Sequence, residues 1–226
     1  MSRRYGQYCG LARSLEMVGE RWGLLVVRDL VLGPKRFTDL QKGLPRIPAS
    51  ILSARLNELE EADVVRRRIL PQLDASVVYE LTEYGRQLES VLLDLGLWGA
   101  RSLGEAAEDD VFTMDAAMLS LYTMFRPERA AGVRMSAELR YGPDMVLHAL
   151  VDDGELKVAE GGYADATLVV EARGSLRPLF AQELSPDEAL DRGLVRLVGD
   201  RAQLDLLVDL FHIPAAPRRV DGLAVH

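Results

Sequence analysis

At 226 residues, 48% hydrophobic and 27% charged, the chain is long enough for one large or two small domains with a buried core. Its longest apolar runs, such as Leu24–Val27, stop far short of the ~20 residues of a membrane span, while one cysteine (Cys9) and three scattered histidines exclude a disulfide framework and leave no metal cluster. The net charge of −8 argues against nucleic acid for the whole chain, but residues 1–104 carry 15 Lys+Arg against 13 Asp+Glu and residues 105–226 carry 12 against 22, so the acidic half hides the balance of the other.

In chain order, Leu11, Leu15, Val18, Trp22 and Leu25/Val26 recur at helical spacing and predict one amphipathic helix ending near Gly33-Pro34. Phe37, Leu40 and Leu44 mark a short second helix. After Pro48, Leu52, Leu56 and Leu59 mark a third. Strand chemistry follows at 64–70 and 77–81 around a Pro71–Ser76 connection, a β-hairpin, and Leu88, Val91, Leu92, Leu95 and Trp98 predict a further helix.

With its leucines facing a core, the third helix presents Ser50, Ser53, Ala54 and Asn57 on the opposite side. These are small or amide side chains that let a backbone approach base edges closely, Asn bidentate to adenine, Ser to either kind of edge, Ala to a thymine methyl. Arg55 flanks this face; Lys35, Arg36 and Thr38 at the second helix and Arg66-Arg67-Arg68 on the hairpin bracket it, with Arg67 the expected phosphate contact of the hairpin. Three helices and a basic hairpin form the layout of a winged helix-turn-helix. The same stripe also fits a solvated helix face beside a few arginines.

Four stretches carry a resemblance: Leu15–Trp22, Leu30–Leu40, Ile51–Glu60 and Tyr79–Gly85 resemble, in the right order, the HxlR-type transcriptional regulators of the MarR-like superfamily. The resemblance implies a homodimeric winged helix that binds pseudo-palindromic double-stranded operators through the helix carrying Ser53 and Arg55. Two departures stand out: Pro48 and Ser50 replace the usual N-cap serine and the basic or polar residue two later, and the hairpin loop reads Asp74-Ala75-Ser76 without an arginine, so major-groove contact is expected ahead of wing contact. Cys9 occupies the place where many relatives carry an N-terminal cysteine, some of them sensing oxidants or electrophiles; Arg13, one turn away, is placed to lower its pKa. A two-fold site needs a two-fold protein, and Leu11, Leu15, Leu88, Leu92, Leu95 and Trp98 are the expected dimer interface.

Gly104–Asp110 is small, acidic and without apolar period, which sets expected bounds of 1–104 for the winged-helix domain, 105–114 for a linker and 115–226 for a second domain. The second half predicts a helix at 115–130, strands at 133–141, 145–151 and 155–160 with an Asp152-Asp153-Gly154 turn, a strand at 167–171, helices at 175–183 and 186–192, a strand at 195–198 and a helix at 200–211. The expected fold class is α+β throughout. Asp165–Thr167, Leu184–Ala189 and Gly193–Asp200 are similar to sterol carrier protein type 2 domains, which implies a curved, mainly antiparallel sheet backed by helices and enclosing an apolar tunnel. Leu119, Tyr122, Phe125, Leu147, Leu179, Phe180, Leu207 and Phe211 are the candidate lining for a hydrophobic or lipid-like effector, with plain core packing the alternative for each.

No Gly-rich phosphate loop, G-x-S-x-G, H-E-x-x-H or C-x-x-C occurs, so no enzyme, cofactor or metal is expected. The expectation is a cytoplasmic, DNA-binding homodimeric regulator modulated through its second half. A lipid carrier using the winged helix as a dimerisation platform, and a Cys9-based redox regulator, are the alternatives.

Overall fold

The computed structural model describes residues 4–70 and 76–216. Two compact units result. One comprises the chain up to Asp94 together with Val111–Leu119, the other Leu95–Asp110 together with the chain from Ser120.

In the first unit the expected single N-terminal helix is two, α1 (Gly10–Val18) and α2 (Gly23–Val31). The reason is a pair of glycines. A Cβ on Gly19 would stand 2.5 Å from the Leu15 carbonyl oxygen and one on Gly23 2.5 Å from that of Val18, so only glycine lets the chain turn this tightly between them. The 3–4 spacing of apolar residues continues across the break because both helices bury a face in the same core. Then come α3 (Phe37–Gly43), α4 (Ala49–Glu61), β1 (Val65–Leu70), β2 (Ser76–Leu81), α5 (Glu83–Arg86) and α6 (Leu88–Ala100). The core is built from Val18, Val26, Val27, Leu30, Leu40, Leu44, Ile47, Leu52, Leu56, Leu59, Val64, Val65, Leu81 and Leu92. β1 and β2 pair antiparallel with Arg66 opposite Glu80 and Ile69 opposite Val77. The Pro71–Ala75 part of the expected loop lies outside the described residues.

The second half adds α7 (Met114–Met124), shorter than the expected 115–130, where Pro127 starts a separate 3₁₀ turn. Strands β3 (Arg134–Tyr141), β4 (Val146–Asp152), β5 (Glu155–Glu160), β6 (Leu168–Ala172) and β7 (Val195–Gly199) form one sheet in the order β5-β4-β3-β6-β7, in which only β3 and β6 run parallel. The connection from β6 to β7 holds α8 (Arg177–Phe180) and α9 (Pro186–Asp191); α10 (Arg201–Leu210) follows β7. Met135, Ala137 and Leu139 of β3, Leu147, Ala149 and Val151 of β4 and Leu168 and Val170 of β6 are buried, together with Leu179, Phe180, Leu204, Leu207 and Phe211 from the helical segments. The opposite face is half covered: Tyr163 stacks on His148 at 5.2 Å, and its backbone N–H donates to Glu138 at 2.8 Å. The division between units runs inside α6 and α7, whereas the sequence places its linker at 105–114.

Candidate nucleic-acid interface

The α3–turn–α4 segment is anchored from beneath. Leu40, Leu44 and Ile47 are buried through the turn, the Ile47 N–H donates to the Leu44 carbonyl at 2.9 Å, and Pro48 caps α4 with its own φ held at −63°. Leu52, Leu56 and Leu59 then bury one stripe of α4. That leaves Ser50, Ser53 and Asn57 exposed on the other, with Ala54 and Arg55 half-buried at its edge, while Arg36 and Thr38 are exposed at the start of α3. The expected reading face is thus assembled as one surface.

The expected cations are differently disposed. Arg55 is held between carboxylates, its Nη1 2.5 Å from Glu58 and 3.6 Å from Glu20. Lys35 Nζ lies 2.9 Å from Asp115 Oδ1, both side chains largely buried. Arg67 grips Glu60 through Nε and Nη2 across both carboxylate oxygens, and these bonds hold Glu60 below the usual carboxylate range. Arg66 and Arg68 share a partner that the sequence does not single out: the buried carboxylate of Glu80 takes Arg66 Nη2 at 2.7 Å on one oxygen and Arg68 Nη2 at 2.9 Å on the other. The only sequence signal for this cluster is the hairpin register that sets Glu80 opposite Arg66.

Beneath Lys35 lies a second buried charge. Asp29 is wholly buried, takes Arg28 Nε on Oδ1 at 2.7 Å, and leaves Oδ2 without a hydrogen-bond partner. That oxygen and Asp115 Oδ2 both lie within 3.0 Å of the point where a Cβ on Gly43 would stand. Burial pushes the Asp29 carboxyl up to about 6, against the pull of Arg28.

Of the expected dimer residues, Leu11, Leu15, Leu95 and Trp98 are exposed, Leu88 is half-buried, and Leu92 belongs to the core of the first unit. Cys9 is exposed at the N-cap of α1, where the backbone N–H groups of Ala12 and Leu11 draw its thiol pKa below the ordinary value; Arg13, expected to assist, lies 3.2 Å from Glu16 instead. The eight residues expected to line a tunnel are packed as core or at its edge. Leu147, Leu207 and Phe211 are fully buried, Leu119, Leu179 and Phe180 nearly so, and the Phe211 ring lies tilted against Phe125 at 5.5 Å and Phe180 at 6.2 Å. Tyr122 spends its hydroxyl on the Val158 N–H at 3.0 Å. A concavity of about 630 Å³ in this unit opens on the other face of the sheet, beside Glu138, Arg140 and Tyr163, and none of the eight lines it. Among the described residues, no helix is long and apolar enough to cross a membrane.

Comparison with known proteins agrees with the N-terminal architecture. Residues 17–107 match the HxlR-like helix-turn-helix family. The chain is 36% identical over 85 residues to the HTH-type transcriptional regulator YodB of Bacillus subtilis (38% of this chain, 76% of YodB) and 34% identical over 107 residues to the uncharacterized regulator YtcD of the same organism (47% of this chain, 85% of YtcD). Among solved structures, the redox regulator HypR in its oxidized form is 31% identical with a TM-score of 0.40, covering 42% of this chain and 99% of that one.

Proposed function

Since the chain belongs to the HxlR-like helix-turn-helix family, we propose that it is a sequence-specific transcriptional regulator acting as a homodimer on pseudo-palindromic double-stranded DNA. The observation that carries this is the α4 surface, where Ser50, Ser53 and Asn57 stand exposed in one row over a fully buried leucine stripe. In this reading those three side chains meet base edges in the major groove, and Arg36 and Thr38 at the start of α3 meet phosphates. Lys35, Arg55 and Arg67 are engaged with carboxylates of the same unit and would have to leave them to meet DNA.

The test is fluorescence anisotropy of the full chain on a duplex enriched by it from a random pool, against a scrambled duplex, over a salt series. A preference of at least ~10³ for the enriched duplex establishes specific readout. Ser53→Ala then costs roughly 1–3 kcal/mol at one base position and relaxes preference there. Equal, steeply salt-dependent binding to both duplexes reduces the interaction to phosphate attraction and overturns the proposal.

A second reading concerns Cys9, favoured by its exposure and its place at the first turn of α1. Here a thiol oxidant changes DNA affinity through this residue, and an undiminished oxidant response in Cys9→Ser removes the reading. For the second unit, the helix-and-sheet order and the 184–200 segment support a sterol-carrier-like module. A hydrophobic effector there would have to displace side chains that are now packed, such as Phe180 and Phe211.

A further inference from the structure

The hairpin carries three consecutive arginines, and the structure treats them unequally. Arg67 projects from one face of β1 and is satisfied by Glu60, guanidinium fork against carboxylate, one charge cancelling one. Arg66 and Arg68 share the opposite face, two residues apart, and both reach the single carboxylate of Glu80. Glu80 is only 4% exposed at its side chain, yet the two arginines are 62% and 48% exposed. Two cations on one anion leave a net positive charge, held at the surface by an anchor inside the protein.

The chemistry of that arrangement is specific. A desolvated carboxylate must be paired, so Glu80 ties down two guanidinium groups that would otherwise wave freely from a hairpin. Each fork has five N–H donors, of which Arg66 spends Nε and Nη2 on Glu80 and Arg68 spends Nη2. The donors that remain suit the planar, bidentate geometry of a phosphate, and a side chain already ordered loses less freedom on meeting one. Arg67 has no such surplus of charge.

We infer that Glu80 is a positioning residue, which sets Arg66 and Arg68 as a fixed guanidinium pair for the DNA backbone, and that this pair, rather than Arg67, supplies the phosphate contacts of the hairpin. The inference rests on the DNA-binding reading above and refines it.

The test uses the same anisotropy titrations with the full chain on the enriched and scrambled duplexes. Arg66→Ala and Arg68→Ala each flatten the salt slope by about one and weaken both duplexes alike. Arg67→Ala moves the slope by clearly less. Glu80→Gln is the decisive variant: by charge alone, removing an anion beside DNA tightens binding, whereas loss of the anchor weakens it, by about tenfold. Tighter or unchanged binding by Glu80→Gln, or a slope change in Arg67→Ala equal to that of Arg66→Ala, overturns the inference. Should Glu80→Gln fail to fold by circular dichroism, Arg66→Lys and Arg68→Lys decide instead. Charge is kept but the fork is lost, so the slope stays while affinity falls several-fold, and unchanged affinity refutes the pair. A wild type that binds neither duplex overturns the DNA-binding reading and this inference with it; a wild type that binds DNA with unmoved variants overturns only the latter.

Discussion

Asp29 shows at the residue scale how a charge can be stored inside a small domain. Its carboxylate is fully buried with one oxygen unpartnered, Asp115 is close by, and Arg28 compensates only in part, so the proton is held up to a pH of about 6. The folded-state value exceeds the 3.8 of a free aspartate, so the folded protein binds the proton more tightly than the unfolded chain does. The contribution to stability is therefore present at low pH and is lost as pH rises through about 6, amounting to at most about 3 kcal/mol. Urea unfolding at a series of pH values should show this loss in the wild type and its absence in Asp29→Asn. A wild-type-to-variant difference that stays constant between about pH 4 and 7 would mean that folding does not raise the Asp29 pKa.

The Thr82–Gly85 corner illustrates what an element needs in order to begin. Thr82 Oγ1 accepts the Gly85 N–H at 2.9 Å, capping α5, and donates to the Asp63 carbonyl across the hairpin base at 2.5 Å. Gly85 is required by the approach of the residue just before β1: a Cβ there would stand 2.0 Å from the Val64 carbonyl oxygen, which is backbone and cannot swing aside. Gly85→Ala should therefore push α5 away from the hairpin and destabilise the first unit by about 1–3 kcal/mol, read as a lower denaturation midpoint. An unchanged midpoint would show that the corner yields freely. In the Tyr79–Gly85 stretch, threonine and glycine are thus packing requirements rather than contacts to a ligand.

At the scale of the whole molecule, several large apolar residues stand exposed to water. Tyr8, Leu11 and Leu15 are exposed around α1, and Leu95 and Trp98 on α6. Palindromic DNA calls for a second copy of the chain, and a two-fold interface would bury such residues against their own equivalents. Sedimentation velocity should give a dimer for the wild type. Leu15→Asp, placing a charge on the exposed side of α1, should raise the dimer dissociation constant at least ~10-fold, about 1.4 kcal/mol, and lower DNA affinity with it. A wild type that sediments as a monomer at micromolar concentration would remove the two-fold reading.

Local spacing sufficed for most of the elements. The leucine stripe of α4, the hairpin, the five-stranded half and the capped start of α9, where Ser185 accepts the Glu188 N–H, all follow from residues near one another in the chain. So does the exposed row of Ser50, Ser53 and Asn57, because a helix with one buried stripe must expose the opposite one. Partnerships across the chain were not legible in this way. Apolar period runs through the α1–α2 break as it would through a helix, and only the close approach of Gly19 and Gly23 to earlier carbonyls shows the turn. Arginine in the sequence is a positive charge; whether it is spent on Glu60, shared on Glu80 or drawn to Glu58 depends on side chains brought together by folding. The aromatic and leucine residues that suit a tunnel lining suit a filled core equally well, and packing decided for the core. Periodicity is a property of neighbours in the chain, whereas charge pairing and cavity volume belong to neighbours in space.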